Sequence, residues 1–394
     1  MLEVYLFNPD NDLALANGDE NYTPPLSARK MADDLSLLPI WYASPEMLVL
    51  SNEPDADEWM LQMKNLFGLS VERIREDDIA FQSSLKLCPW GWNAALIKQA
   101  RLLGFSDDFL PDKEQMEIVR ELSHRSLAVS LLRELNISSS SFCGVSEELT
   151  SDEAVRKFVE HYPQVLLKAP WSGSGKGLRP GKGEYTKHIQ GWSSRVIKNQ
   201  RCVVGEPWLD KVADFAMEFF CDEWGKVSFV GYSFFETDVR GAYTGNLLAS
   251  NETIEQRLTE FVNVADLHLL RDKLELKLSQ LIGEKYKGYL GVDMMICRFP
   301  EQPVYRIHPC VEVNLRMNMG ILSRLLYDRF ITSGKMGYFR VDYFNAPSLL
   351  TTDHEQKQTD FPLVVENGRI VSGYMELTPV TQQKNYRASI LVEG

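Results

Sequence analysis

The stretch from Tyr305 to Met317, with the sequence YRIHPCVEVNLRM, alternates polar and mostly apolar side chains. A period of two predicts a β-strand, because successive side chains of a strand point to opposite faces. The predicted polar face carries Arg306, His308, Cys310, Glu312, Asn314 and Arg316. Pro309 allows an edge strand and argues against a central one, since proline has no N–H to donate to a second neighbour. The stretch therefore predicts a strand with one apolar and one polar face.

The end of this polar face has the chemistry of a metal and anion site. Glu312 and Asn314 offer oxygen atoms of the kind that Mg²⁺ binds beside substrate phosphates. The guanidinium of Arg316 can form two parallel hydrogen bonds with a phosphate or a carboxylate. His308 and Cys310 lack the companions of a zinc site and are interpreted as lining residues. The alternative interpretation is a solvent-facing strand of a half-exposed sheet.

A second segment combines a strand with a glycine-rich turn. Residues 163–170 (PQVLLKAP) predict a strand in which Lys168 stands among mostly apolar neighbours. A buried lysine needs an anionic partner. Residues 171–178 (WSGSGKGL) follow at once, and their glycines let backbone N–H groups approach an anion closely. The spacing fits neither a Walker loop nor a dinucleotide fingerprint, and a flexible hairpin is the alternative interpretation.

Together these segments resemble the ATP-grasp superfamily over residues 124–316. The lysine strand and the glycine loop look like the family's lysine strand and mobile glycine-rich lid, particularly as in biotin-dependent carboxylases, and residues 172–177 are the predicted lid. Residues 203–209 (VVGEPWL) resemble the hinge strand of the family, and residues 288–295 (GYLGVDMM) resemble the strand that gives the first metal carboxylate. The sequence departs from the family at one point: His124-Arg125 stands where an Asp-Lys pair is usual.

The resemblance implies that ATP binds between two small α+β subdomains together with two Mg²⁺ ions. In that scheme Glu206 accepts from the adenine amino group, the backbone around Trp208 and Leu209 pairs with the base edge, and Asp214 contacts the ribose. The implied nucleotide-binding residues are Arg125, Lys168, Ser172, Gly173, Ser174, Gly175, Lys176, Gly177, Glu206, Trp208, Leu209 and Asp214. The implied metal ligands are Asp293, Glu312 and Asn314, and the implied catalytic residues are Arg316 and Lys168.

Composition excludes some classes of partner. The chain has 394 residues and a formal net charge of −13, which argues against a general nucleic-acid or anionic-membrane partner. Its six cysteines show no paired spacing, which favours a reducing cytosol. The sequence begins with the strand-like LEVYLF and shows no signal peptide, and no apolar run approaches the roughly 18 residues of a membrane span. We therefore expect a cytoplasmic enzyme with small-molecule partners, and a homo-oligomer stays open.

The expected fold class is α/β (α+β), an ATP-grasp fold preceded by a β/α domain. The predicted division is residues 1–122 for the N-terminal β/α domain, 123–330 for the nucleotide-binding domain with its lid subdomain at about 138–205, and 331–394 for a β-rich extension. Local patterns predict a helix over residues 26–38, a second strand from Pro39, a polar loop over residues 348–359, and a hairpin at Asn367-Gly368. They also predict a long helix over residues 266–282, with Asn263 or Asp266 as its N-cap. The predicted apolar stripe of this helix is Leu267, Leu270, Leu274, Leu278 and Leu281.

Three polar loops are weaker candidates for substrate contact. Residues 8–12 (NPDND) follow the first strand, where open α/β sheets bind ligands, but turns use the same residue types. Residues 88–93 (CPWGWN) could stack on a ligand, although packing under a helix is the favoured interpretation. Residues 240–246 (RGAYTGN) could reach the same cleft.

The function that the resemblance implies is ATP-dependent joining of a carboxylate to an amine through an acyl phosphate. Two alternatives remain open from the sequence: a small-molecule kinase on the same scaffold, and a nucleotide-binding regulator without turnover. A regulator without turnover would be expected to lack a metal ligand. The regulator ranks last because all three implied ligands are present, namely Asp293, Glu312 and Asn314.

Overall fold

The computed structural model describes residues 1–54, 56–82, 84–172, 177–238 and 243–394. The strands are β1 (Leu2–Leu6), β2 (Leu48–Leu50), β3 (Glu72–Ile74), β4 (Leu85–Pro89), β5 (Glu147–Leu149), β6 (Val165–Lys168), β7 (Leu178–Gly181), β8 (Val203–Pro207), β9 (Asp210–Cys221), β10 (Val227–Thr237), β11 (Tyr243–Leu248), β12 (Gly288–Arg298), β13 (Tyr305–Asn314), β14 (Gly337–Tyr343), β15 (Val364–Glu366), β16 (Arg369–Glu376) and β17 (Tyr386–Val392).

The α-helices are α1 (Asn11–Asn17), α2 (Leu26–Asp34), α3 (Ala56–Phe67), α4 (Glu76–Ile79), α5 (Ala94–Leu103), α6 (Lys113–Leu122), α7 (Ser126–Asn136), α8 (Asp152–His161), α9 (Lys187–Gln200), α10 (Asn251–Leu258), α11 (Val264–Ile282), α12 (Met319–Phe330) and α13 (Pro347–Asp360). Two short 3₁₀ helices cover Leu38–Trp41 and Asp107–Phe109.

The chain divides into two compact units, each built from separated segments. Unit 1 comprises Met1–Glu117, Thr244–Ile254 and Arg316–Gly394. Unit 2 comprises Ile118–Tyr243 and Glu255–Leu315. Residues 331–394 thus belong to the same unit as the N-terminal segment, whereas the sequence predicts a separate extension. The predicted three-part division stays a prediction.

Unit 1 begins with a parallel sheet of strand order β3-β2-β1-β4. The chain moves outward from β1 through β2 to β3, then returns to place β4 on the other side of β1. The carboxyl ends beside such a reversal form a crevice where α/β proteins commonly bind ligands. The apolar residues Val4, Val49 and Leu87 form the buried centre of the sheet.

Unit 1 also holds the antiparallel strands β11-β14-β17-β16-β15. These strands and their loops are tied to the first segment of the chain by hydrogen bonds that are buried or partly buried. The indole N–H of Trp41 donates to the carbonyl of Leu377 at 2.7 Å. A carboxylate oxygen of Asp34 accepts from the backbone N–H groups of Asn385 and Tyr386 at 2.8 and 3.0 Å. These bonds explain why the two ends of the sequence belong to one unit.

Unit 2 contains the antiparallel strands β13-β12-β9-β10 and a smaller sheet of order β5-β8-β6-β7. Helix α11 begins after Asn263, whose side chain accepts from the N–H of Ala265 at 2.9 Å, as the predicted cap requires. Its buried stripe is Leu267, Leu270, Leu274, Leu278 and Ile282. The prediction placed Leu281 at the end of that stripe, one residue too early.

Two local predictions are wrong. The predicted second strand from Pro39 is the 3₁₀ helix Leu38–Trp41, because proline suits the first helical turn and Trp41 is buried against other aromatic rings. The strand itself follows at Leu48–Leu50. The predicted loop over residues 348–359 lies within helix α13, which begins with Pro347 and buries only Leu350. A helix with one buried side chain has too little apolar periodicity to be recognised.

Two other local predictions, the Asn367-Gly368 hairpin and the edge position of β13, are confirmed. Asn367 and Gly368 have positive φ angles of 51° and 73°, as a type I′ hairpin needs. Strand β13 lies at the edge of its sheet, as Pro309 predicts. All six cysteines are free. In the part of the chain that the structure describes, no helix is long and apolar enough to cross a membrane.

Candidate nucleotide site

Lys168 ends strand β6 and forms a buried ion pair with Glu206 of the neighbouring strand β8. The distance from Nζ to Oε2 is 2.6 Å, and both side chains are less than a tenth exposed. The other carboxylate oxygen of Glu206 accepts from Oγ of Ser146 at 3.2 Å. Val165 and Leu167 pack in the apolar core of this unit, so Lys168 is set on the opposite face by the period of two. Both charged residues are predicted from the sequence, but Ser146 is not.

Arg125 connects three predicted site elements. Its Nη1 donates to the carbonyl of Ala169 at 2.6 Å and to Oγ of Ser172 at 2.7 Å. Its Nη2 donates to Oε1 of Glu312 at 2.7 Å. Arg125 is itself buried. One guanidinium therefore joins the end of the lysine strand, the first residue of the predicted lid and a predicted metal ligand.

The predicted metal ligands face each other across strands β12 and β13. Asp293 lies opposite Glu312 in the register, and Nδ2 of Asn314 donates to Oδ2 of Asp293 at 3.1 Å. Among the described residues, no group of three or more His, Cys, Asp or Glu side chains could hold a metal ion. The predicted ligand set of Asp293, Glu312 and Asn314 is not such a group, because Asn314 is an amide. Two carboxylates and an amide oxygen are hard ligands that suit Mg²⁺, and a half-turn of the Asn314 amide presents that oxygen.

The hinge residues are already engaged within the protein. The N–H of Trp208 donates to the carbonyl of Gln164 at 2.9 Å, and the carbonyl of Leu209 accepts from Lys211 at 3.0 Å. Asp214 accepts from Oγ1 of Thr237 at 2.9 Å and from the ammonium of Lys211. Pairing of a base with the Trp208 N–H would therefore require that internal bond to open.

The base of the predicted lid is closed by backbone contacts. The N–H of Ala169 donates to the carbonyl of Gly177 at 2.8 Å. A Cβ atom added to Gly177 would lie 2.2 Å from the side chain of Ser172, so only glycine allows this approach. The remaining predicted lid residues, Gly173, Ser174, Gly175 and Lys176, lie outside the described residues.

The polar face of β13 is not solvent-facing along its first half. His308 and Cys310 are 1% and 2% exposed, whereas Glu312 is partly exposed. Burial lowers the pKa of His308 to about 4, with Glu206 opposing that shift and Lys168 adding to it. Burial likewise raises the pKa of the Cys310 thiol well above its usual range. Both side chains are therefore neutral near pH 7.

Arg316 lies in unit 1, where its guanidinium is held by Asp12. Nε and Nη2 donate to the two carboxylate oxygens at 2.7 and 2.6 Å. Nη1 donates to the carbonyl of Met317 at 3.1 Å. The loop that ends with Asp12 is a predicted candidate for substrate contact, but its pairing with Arg316 is not predicted from the sequence.

The same unit contains two neighbouring cavities of about 540 and 310 Å³ near the carboxyl ends of the parallel strands. They do not include Lys168 or Glu206. Asn8 and Asp10 line both cavities. Burial raises the pKa of Asp10, and the nearby carboxylate of Asp12 adds to the shift. Trp90, by contrast, is buried edge-to-face against Phe7 at 5.0 Å between ring centroids, which supports the packing interpretation.

Comparisons with known proteins are informative for the fold. No protein-family model matches the sequence, and no curated protein matches it. Among solved structures, N5-carboxyaminoimidazole synthetase from Staphylococcus aureus with ADP is 12% identical, with 100% of this chain and 93% of that chain covered and a TM-score of 0.49. Biotin carboxylase from Campylobacter jejuni is 11% identical, with coverages of 99% and 87% and a TM-score of 0.49.

Pyruvate carboxylase from Rhizobium etli is 12% identical and gives a TM-score of 0.51. The match covers 100% of this chain and 35% of that chain. The assignment of the fold rests on the similarity to pyruvate carboxylase, and a sequence identity of 12% shows the fold alone. The chain is an α/β protein, and its fold is the ATP-grasp fold that the sequence predicts.

Proposed function

We propose that this protein is an ATP- and Mg²⁺-dependent ligase that joins a carboxylate to an amine. The observation that carries the proposal is the Arg125 link, in which one buried guanidinium contacts Ala169, Ser172 and Glu312. Because the Arg125 guanidinium contacts both the lid residue Ser172 and the predicted metal ligand Glu312, it supports a site for the negative charge of the ATP phosphates. The ATP-grasp fold supports the same assignment.

The protein would contribute mainly positioning and electrostatics. Lys168 and Arg125 would place positive charge beside the transferring γ-phosphoryl group. Mg²⁺ held by Asp293, Glu312 and Asn314 would neutralise further phosphate charge. Arg316 would orient the substrate carboxylate through its guanidinium.

The reaction then follows in two balanced steps. A carboxylate oxygen attacks the γ-phosphorus, so that ADP leaves and an acyl phosphate forms. The amine nitrogen next attacks the acyl carbon, inorganic phosphate leaves, and the amine loses a proton as the amide forms. No nucleophilic side chain of the protein is needed.

Two measurements test the proposal. Millimolar ATP with Mg²⁺ should raise the melting temperature, because a ligand that binds the folded state stabilises it. A screen of amino acids and other amines should then find amine-dependent release of ADP and phosphate, with an amide in the product. A stable phosphate ester would indicate the kinase instead, and the absence of any shift with every nucleoside triphosphate would remove ATP binding altogether.

A further inference from the structure

His308 is a buried imidazole that neither the implied family roles nor the ion pairs of unit 2 employ. It lies in strand β13, four residues before Glu312. Among the described residues, neither ring nitrogen has a hydrogen-bond partner, although the residue is only 1% exposed. Buried polar atoms are nearly always hydrogen-bonded. The ring nitrogens are therefore available to form hydrogen bonds with a bound ligand.

The chain makes specific room for this ring. Residues 141–143 run along the outer edge of β13, where Cys143 donates to the carbonyl of Ile307 at 2.8 Å and Ile307 donates to Ser141 at 2.9 Å. Gly144 follows, with a φ of 108°. A Cβ atom there would lie 2.3 Å from Cδ2 and 2.5 Å from Nε2 of His308. Only glycine fits both the backbone angle and the imidazole.

The turn that borders the ring also borders the Lys168–Glu206 pair, because Oγ of Ser146, two residues after Gly144, donates to Glu206 at 3.2 Å. Both charges act on the imidazole, Glu206 to favour its protonation and Lys168 to oppose it, and burial keeps the ring neutral. Lys168 and Glu206 are buried to a similar depth. Glu206 and His308 together offer an acceptor-only carboxylate and an imidazole with one donor and one acceptor.

Such a set can distinguish purines. Adenine presents its amino donor beside the N7 acceptor, whereas guanine presents two acceptors, O6 and N7, on the same edge. A carboxylate near that edge pairs with adenine and repels guanine. An imidazole nitrogen beside it adds a second polar contact with the base.

We propose that His308 contacts the nucleobase of the bound nucleoside triphosphate and, beside Glu206, favours adenine over guanine. This inference rests on the proposed ATP binding and extends it to a residue that reads the base. The chemical partner is the polar edge of adenine, including N7 and the 6-amino group.

The test is a comparison of nucleotide affinities by calorimetry with Mg²⁺. His308→Phe keeps a planar ring without nitrogen and should weaken ATP by about tenfold, the usual order for one lost hydrogen bond to a ligand, while GTP stays unchanged. His308→Gln retains a donor and an acceptor and should recover part of the ATP affinity. Cys310→Ala, two residues along the same buried face, is the matched control and should leave the ATP to GTP ratio unchanged.

Modified nucleotides remove any dependence on how well a variant folds. In the parent protein, 7-deaza-ATP or the triphosphate of purine riboside, which lack N7 and the amino group respectively, should bind more weakly than ATP. For the atom that His308 contacts, the difference in affinity between ATP and the analogue should shrink in His308→Phe, which has no ring nitrogen. Equal differences in both proteins for both analogues would overturn the role of His308 while leaving ATP binding intact. If the parent bound no nucleotide, the proposed function would fail and this inference with it.

Discussion

Asp12 and Arg316 form a two-bond ion pair although 304 residues separate them in the sequence. Both side chains are partly exposed, at 26% and 17%. The carboxylate holds the Nε and Nη2 edge of the guanidinium, which fixes the plane of the fork. Asp12 is therefore a positioning residue for the side chain that we propose orients the substrate carboxylate.

Asp12→Asn should lower kcat/KM for the carboxylate substrate by about tenfold, because the neutral amide holds the guanidinium less firmly. ATP affinity should stay unchanged. Asp107→Asn, which breaks the exposed Arg101–Asp107 pair of the same unit, is the control and should change neither quantity. A loss of ATP affinity in Asp12→Asn would show that this pair serves the nucleotide.

Arg316→Lys keeps the charge but removes the planar fork. We expect product formation to fall far more than ATP affinity, since a lysine ammonium cannot bind a carboxylate through two parallel bonds. Calorimetry with ATP and product assays with an active acceptor measure the two effects. Similar losses in both would place Arg316 on the nucleotide phosphates.

Lys168→Met leaves the buried carboxylate of Glu206 without its cation. Removal of one partner from a buried pair typically costs about 3–5 kcal/mol of unfolding free energy, and ATP affinity should fall as well. The double variant Lys168→Met/Glu206→Gln should regain much of the stability, because no unpaired charge remains, but not the ATP affinity. Urea unfolding and calorimetry separate the outcomes; a Lys168→Met protein that binds ATP like the parent would make Lys168 a purely structural residue.

Glu312→Gln and Asp293→Asn should each reduce turnover by orders of magnitude, because each removes a charge from the proposed metal site without changing volume. Their stabilities should differ. Glu312→Gln deprives the buried Arg125 of its carboxylate, whereas Asp293→Asn leaves that 2.7 Å pair in place. Melting curves without nucleotide and turnover over a range of Mg²⁺ concentrations test both statements. Parent-like activity of Glu312→Gln at low Mg²⁺ would contradict the metal assignment.

The stability of the protein should depend on His308 in mild acid. Folding lowers its pKa from 6.5 to about 4, so the unfolded chain binds the proton more readily. The contribution of neutral His308 to the unfolding free energy is complete above pH 6.5, the pKa of the residue in the unfolded chain. This contribution is lost as the pH falls from about 6.5 towards 4. Between pH 7 and 5 the loss is about 2 kcal/mol.

Urea unfolding at several pH values measures this dependence. His308→Gln should show a smaller loss between pH 7 and 5, whereas His188→Gln, on the exposed side of helix α9, should behave like the parent. The same slope in parent and His308→Gln would indicate that other groups cause the acid sensitivity.

Local periodicity was enough to predict the strand over residues 305–314, the lysine strand and the stripe of α11, because each buries alternating or helically spaced side chains. It failed at Leu38–Trp41 and in α13 for opposite reasons. Trp41 takes its conformation from distant rings and from Leu377, and α13 buries almost nothing. The partners Asp12 and Ser146 escaped prediction because their contacts depend on tertiary pairing, which no local pattern records.

Unit 1 is completed by β17, which pairs with both β14 and β16. During synthesis on the ribosome, all of unit 2 emerges before Arg316, whereas unit 1 must wait for residues 386–392. After the first segment of unit 1 ends at Glu117, more than 260 further residues must be translated before strand β17 is available. Unit 2 can fold as a nascent domain, while unit 1 gains its full sheet only afterwards. Translation thus sets an order in which the proposed nucleotide-binding residues are in place before the pair formed by Asp12 and Arg316.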